Sequence, residues 1–179
     1  NEYDQPVGEP VNNWTVRPRP SDIVLSGRTC HLEPLSASKH AHQLYAAYSQ
    51  APDGRDWTYM PFGPFTSFEE YRRHAEILEK SEDPKHFTVI STSSGEAVGT
   101  MSLMRINPEN GVIEVGYITF SPLLKRSALS TEAQYILMAY VFDQLGYRRY
   151  EWKCDSLNAP SRKAADRLGF RFEGIFYHN

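Results

Sequence analysis

Cysteine is scarce, with only Cys30 and Cys154 in 179 residues. Two are too few for a disulfide framework, and each is expected to be a small buried apolar residue in a reducing, cytoplasm-like compartment. A long apolar run is also missing. The longest mainly apolar stretch, residues 135–142, falls far short of the roughly 20 residues of a membrane span, so no membrane partner is expected. Positive charge is not in excess. The 19 Lys and Arg face 22 Asp and Glu, a net charge of −3, which argues against nucleic acid as a partner. Residues 1–22 hold Pro6, Pro10, Pro18 and Pro20 and no apolar run, so nothing there resembles a signal peptide. The six histidines, His178 among them, show no metal-ligand cluster. His40 and His42 lie two apart and do not share a helix face, so no metal is expected.

Bulk for a core is present: 40% of residues are hydrophobic and 13% aromatic. The length suits one domain. Residues 1–22 read as an extended arm that Val11 and Trp14 could dock, and residues 23–179 as a single domain. A bent strand or hairpin covers residues 23–35 and a helix residues 38–49. Ser67 and Glu70 have capping-box spacing at the start of a second helix. Between these helices lies an aromatic loop with Trp57, Tyr59 and Phe62. Those rings either shape a pocket or pack the core.

A three-strand meander follows at residues 87–91, 97–104 and 112–120. Residues 131–145 form a helix apolar on most sides, expected to be deeply buried and closed by Gly146. Residues 149–155 alternate as a strand, with Tyr150, Trp152 and Cys154 on one face. Asn158 caps a short helix that ends before Gly169, and residues 170–176 read as a last strand. The element order gives a mixed α/β (α+β) fold.

Two stretches carry chemistry. In the first, Phe120-Ser121-Pro122-Leu123-Leu124-Lys125-Arg126-Ser127-Ala128-Leu129-Ser130-Thr131-Glu132-Ala133, a strand ends, a cationic loop follows and a long helix begins. The first turn of a helix leaves about four N–H groups free and carries partial positive charge, a setting suited to phosphate. It is equally the setting of an ordinary capped turn. In the second, Asn158-Ala159-Pro160-Ser161 leads through Leu168-Gly169-Phe170 to Glu173-Gly174. That pattern is a well-punctuated helix and names no reaction.

Together, over residues 23–176, they resemble the GCN5-related N-acetyltransferase (GNAT) superfamily, especially its RimJ/RimL-like branch that acetylates ribosomal-protein N-termini. The resemblance implies a twisted mixed sheet flanked by about four helices, splayed between the strands at 112–120 and 149–155. It implies acetyl-CoA as co-substrate, and a small-molecule or peptide amine that attacks the thioester directly. The pantetheine arm would pair with Ile118, Thr119 and Phe120. The pyrophosphate would rest on the loop and helix start, Lys125, Arg126, Ser127, Ala128, Leu129, Ser130 and Thr131. The glycines usual in that loop are Arg126 and Ala128 here. A glycine is needed only where φ is positive or a ligand comes very close.

Glu114 is the expected general base, with Glu151 and Asp155 as weaker choices; a solvent-facing strand residue is the plain alternative for Glu114. The Tyr that many members use as thiol acid is replaced by Ala165. The resemblance hands that role to Ser161, with Asn158 holding pantetheine or water, unless both only cap the helix. The rival reading is a catalytically inactive acyl-CoA-binding or regulatory module. Family members continue past residues 170–176 into one more strand. Trimming of the sequence, which opens on Asn1, a strand from a partner in a homodimer, or a shift of the last strand beside the fifth would each account for its absence.

Overall fold

The computed structural model describes residues 1–177; His178 lies outside them. Among the described residues, six strands form one sheet in simple sequence order. They are β1 (Leu25–Ser26), β2 (Cys30–Pro34), β3 (Lys85–Ser91), β4 (Ala97–Asn107), β5 (Val112–Phe120) and β6 (Arg149–Trp152). All neighbours run antiparallel except β5 and β6, which are parallel. Four α-helices flank the sheet: α1 (Ala37–Tyr48), α2 (Phe68–Glu79), α3 (Ala128–Ala139) and α4 (Ala159–Arg167).

The alternation of side chains divides the core in two. Leu32, Phe87, Met101, Leu103, Ile113 and Val115 face α3 with Leu137 and Val141. Ile90 and Ala97 meet Leu44 of α1 and Tyr71 and Ala75 of α2 on the other face. A register shift gives β5 one extra residue, and Tyr117 takes a left-handed backbone there (φ 46°). The inserted residue resets the alternation, so Ile118 and Phe120 return to the α3 side. A second bulge puts Arg105 of β4 at φ 48°, and Asp83 accepts from the Arg105 and Ile106 amides at 2.8 and 3.0 Å.

Helix α3 begins earlier than residue 131. Ser127 is its N-cap and accepts from the Ser130 amide at 3.1 Å. It is also less buried than its composition suggests. It packs one face on the sheet, leaving Tyr135 68% exposed and, beyond its end, Phe142 40% exposed. A wider helical turn, Tyr140–Gln144, continues from it, and Gly146 (φ 70°) follows as expected. At the start of α2, Ser67 accepts from the Glu70 amide at 3.2 Å, but the Glu70 carboxylate turns to the Thr66 amide and hydroxyl, both at 2.9 Å.

Residues 170–176 form no strand. Phe170 packs on Tyr150 and Trp152, while Phe172, Ile175 and Phe176 are exposed. Alternation alone makes no strand when the backbone finds no ladder partner, and none is available among the described residues. In the arm, Trp14 docks against Gly111 and its indole donates to the Glu109 carbonyl at 2.7 Å; Val11 stays exposed. Cys30 is buried, and its thiol is pushed up to about 11 by burial and by Glu132. Cys154 is exposed, contrary to expectation, because β6 ends at Trp152 and the chain leaves the sheet.

Candidate active site

The sheet opens between β5 and β6. They pair only from Val112↔Arg149 to Val115↔Trp152. Residues 153–155, expected as strand, lie outside the ladder, so β5 from Gly116 to Phe120 has a free edge on that side among the described residues. Which amides face that edge follows from strand geometry. The Ser121 amide donates to Val98 of β4 at 3.2 Å. Amides alternate along a strand, so Thr119 also faces β4, and Ile118 and Phe120 face the opening. The Tyr48 hydroxyl donates to the Thr119 carbonyl at 3.1 Å, engaging it from the α1 side.

The free edge leads into the start of α3. The Leu124 and Lys125 amides fold back on the Ser121 carbonyl, both at 3.0 Å. Arg126 then takes a left-handed turn (φ 57°), so the conformation usually supplied by glycine is kept without one. Ala128 stands inside the helix, where no glycine is required. The Arg126, Ser127, Ala128 and Leu129 amides have no protein partner among the described residues. Two hydroxyls are committed instead: Ser127 donates to Leu124 O (2.6 Å) and Ser130 to Ser127 O (2.7 Å), while Thr131 Oγ1 accepts from Arg167 at 2.8 Å and keeps its own proton. The Lys125 ammonium forms an ion pair with Asp56. The donors without a protein acceptor at this end of the helix are therefore these four amides and the Thr131 hydroxyl.

Glu114 is not a solvent-facing residue; its side chain is 4% exposed. Arg105 Nη1 donates to both its oxygens (2.9 and 2.7 Å), and Lys153 Nζ donates to Oε2 at 2.7 Å. Lys153 also pairs with Glu151, and Glu151 with Arg149 at 2.6 Å. Burial alone would lower the Lys153 pKa, but the hydrogen bonds it donates to Glu114 and Glu151 outweigh it and raise it. These charges staple β4, β5 and β6 at the closed end of the opening. Asp155 is exposed and accepts from the Leu157 amide at 2.8 Å.

Across the opening, Asn158 Oδ1 caps α4 by accepting from the Ser161 amide at 3.1 Å. Ser161 Oγ accepts from the Trp152 indole at 2.9 Å. That bond fixes the oxygen and leaves its proton free to donate. The sequence presents Trp152 only as one residue of an alternating strand just before the Asn158 cap, and that placement is the one local signal of its role.

The aromatic loop closes over this region. Trp57 is buried edge-on to Tyr48 (5.5 Å) and Phe65 (5.3 Å). Gly63 (φ 74°) lets the chain cross that indole, where a Cβ would lie 2.5 Å from Cε3. The Tyr59 hydroxyl donates to the Leu157 carbonyl at 3.2 Å. With Asp56 on Lys125, the loop touches both lips of the opening. Among the described residues no cluster of His, Cys, Asp and Glu could hold a metal ion, and no helix is long and apolar enough to cross a membrane.

Residues 30–171 match the family model of the acetyltransferase (GNAT) domain. An uncharacterized N-acetyltransferase, p20, from Bacillus licheniformis is 31% identical over 124 residues, 65% of this chain and 67% of that protein. The crystal structure of a GCN5-related N-acetyltransferase from Brucella melitensis superposes with a TM-score of 0.90 at 48% identity, covering 93% of this chain and 75% of that one. RimL, a ribosomal L7/L12 α-N-protein acetyltransferase, shares the fold at a TM-score of 0.69 and 23% identity, covering 89% and 88% of the two chains.

Proposed function

From the premise that this chain belongs to the GNAT acetyltransferase family, we propose that it moves an acetyl group from acetyl-CoA to a primary amine by direct attack. The observation that carries this reading is the four partnerless amides at Arg126, Ser127, Ala128 and Leu129, next to the free edge of β5. A diphosphate fits the helix end, and an amide-bearing arm fits the Ile118 and Phe120 edge. Acetyl-CoA, when bound there, supplies an electrophilic thioester carbon.

The residues of the chain do the rest. Ile118 and Phe120 hold the arm in line, and the α3 amides anchor its phosphates. Ser161, its oxygen fixed by Trp152, gives its proton to the leaving sulfur. Both Glu114 oxygens are held by cations, so the base role expected of it gives way to a stapling one; the proton of the attacking amine passes to water, and water returns a proton to Ser161 Oγ. The compartment we assign is cytoplasmic, in keeping with two free cysteines.

Thermal-shift titration with CoA and acetyl-CoA, followed by thiol release over an amine panel, tests the reading. Stabilisation by both, with thiol release on at least one amine, is the expected result. Stabilisation without release on any amine would favour an inactive acyl-CoA-binding module. No stabilisation would remove the cofactor assignment.

A further inference from the structure

The α1 and α2 face of the sheet holds two buried histidines of opposite character. His40 is satisfied: Nδ1 accepts from the Ser36 amide (3.1 Å) and stands 3.1 Å from the Thr88 hydroxyl, and Nε2 meets Glu33 at 2.6 Å. His86 on β3 is 4% exposed, and neither ring nitrogen has a partner. His74 of α2 adds a third buried orphan, Nε2. Native interiors rarely leave such atoms unmatched, and those that persist mark a missing water, ion or ligand.

The three orphans meet in one place. The His86 ring stacks on Tyr117 (6.0 Å, 5° between planes), and Phe62 covers both His74 (4.4 Å) and Tyr117 (5.5 Å). Tyr117 is the bulged residue two beyond the last β5–β6 pair, so the cluster borders the opening. A floor leads into it. Gly116, Ser102 and His86 lie in one row across β5, β4 and β3. Two small residues thus separate the opening from the first imidazole. Met104 lies over this row: a Cβ on Gly116 would fall 2.2 Å from Met104 Sδ, so a larger residue there would have to displace that flexible side chain.

We propose that His86 and His74 form the polar floor of the acceptor-amine pocket, under a lid made by Phe62, and that this pocket takes an uncharged primary amine carried on an aryl or other apolar body. The inference rests on the acetyltransferase reading above. Its chemistry follows from the walls. Phe62 and Tyr117 supply apolar faces, and each neutral imidazole offers one acceptor and one donor for an amine head. Burial pushes the His86 pKa down to about 4, with His74 adding to the effect, which keeps that imidazole neutral near pH 7. Glu114, the buried carboxylate nearest Gly116, is already matched to Arg105 and Lys153, so no free negative charge waits for a polyamine.

The test uses 2-phenylethylamine and spermidine as probes on the full chain saturated with acetyl-CoA. His86→Gln and His74→Gln are expected to raise KM for 2-phenylethylamine at least tenfold, leave CoA affinity unchanged, and have little effect on spermidine, a poor substrate throughout. Carbethoxylation by diethyl pyrocarbonate, mapped by mass spectrometry, gives a second readout independent of turnover. His74 and His86 should react slowly in the native protein and faster in Phe62→Ala, and 2-phenylethylamine should protect them there. Unchanged KM in both histidine variants, or spermidine preferred over the aryl amine, would overturn the pocket. If no amine is acetylated, the acetyltransferase reading fails, and lack of protection in Phe62→Ala would separately sink the pocket. Should the histidine variants fail to fold, Phe62→Ala alone decides the matter.

Discussion

Ser161 Oγ has one lone pair committed to the Trp152 indole, and its amide is committed to Asn158. The hydroxyl proton therefore has a fixed origin and a free direction. Ser161→Ala should lower kcat at least tenfold and leave CoA affinity within about twofold. Trp152→Phe keeps an aromatic ring beside Phe170 but removes the N–H, and should lower kcat by a smaller factor. Steady-state kinetics with calorimetric CoA titration checks both; equal losses in kcat and affinity would make Ser161 a CoA-binding residue and not a proton donor. These residues were readable early because their signals are local. An Asn three residues before a Ser, with Pro between them and Gly at the far end, specifies a short capped helix wherever it occurs. The partner of Ser161 was not readable, because it comes from another element.

Between elements, the charge staple has a measurable worth. Glu114→Gln would leave the Arg105 and Lys153 cations facing a neutral amide beside a buried position. Arg105 and Lys153 are partly exposed, so the expected loss is about 1–3 kcal/mol, below that of a fully buried pair. Urea denaturation would show it, and the pH profile of kcat should keep its shape; loss of the acid limb would restore Glu114 as base. A second tie joins β1 and β2 to α3. Glu132 accepts from the Arg28 amide (2.9 Å), the Thr29 amide (2.7 Å) and the Thr29 hydroxyl. The side-chain bond from Thr29, then the two amides, hold its pKa down to about 2 from an ordinary 4.5. A depressed carboxylate stabilises the fold above its unfolded value and loses that effect as pH falls. The contribution should be complete above pH 4.5 and gone near pH 2, and Glu132→Gln should flatten the thermal stability profile across that window.

Element boundaries separate what the sequence carries from what packing decides. The strand at 112–120 was legible to the residue, because turn residues and Pro122 bracket it. The α3 start was not, since Ser127, Ser130 and Thr131 all suit a cap, and the choice of Ser127 depends on the tight turn before it. Residues 170–172 alternate as a strand would, but Gly174 breaks the pattern and the segment has no neighbour to pair with among the described residues.

At the scale of the whole molecule, the loop between α1 and α2 spans the opening, with Asp56 on Lys125 at one lip and Tyr59 on Leu157 at the other. Composition showed its aromatic content but not its reach, which depends on two contacts distant in sequence. Asp56→Asn should tighten CoA binding by up to about fivefold, the worth of one surface ion pair of roughly 1 kcal/mol. Titration calorimetry measures this; weaker binding would make Asp56 a ligand-side residue.

The same contact bears on ionic strength. Added electrolyte weakens the pull of Lys125 on an incoming diphosphate, but it also weakens the grip of Asp56 on Lys125. The two losses oppose each other, so the native protein should hold its nucleotide with nearly constant strength across a range of salt in which the Asp56→Asn protein steadily lets go.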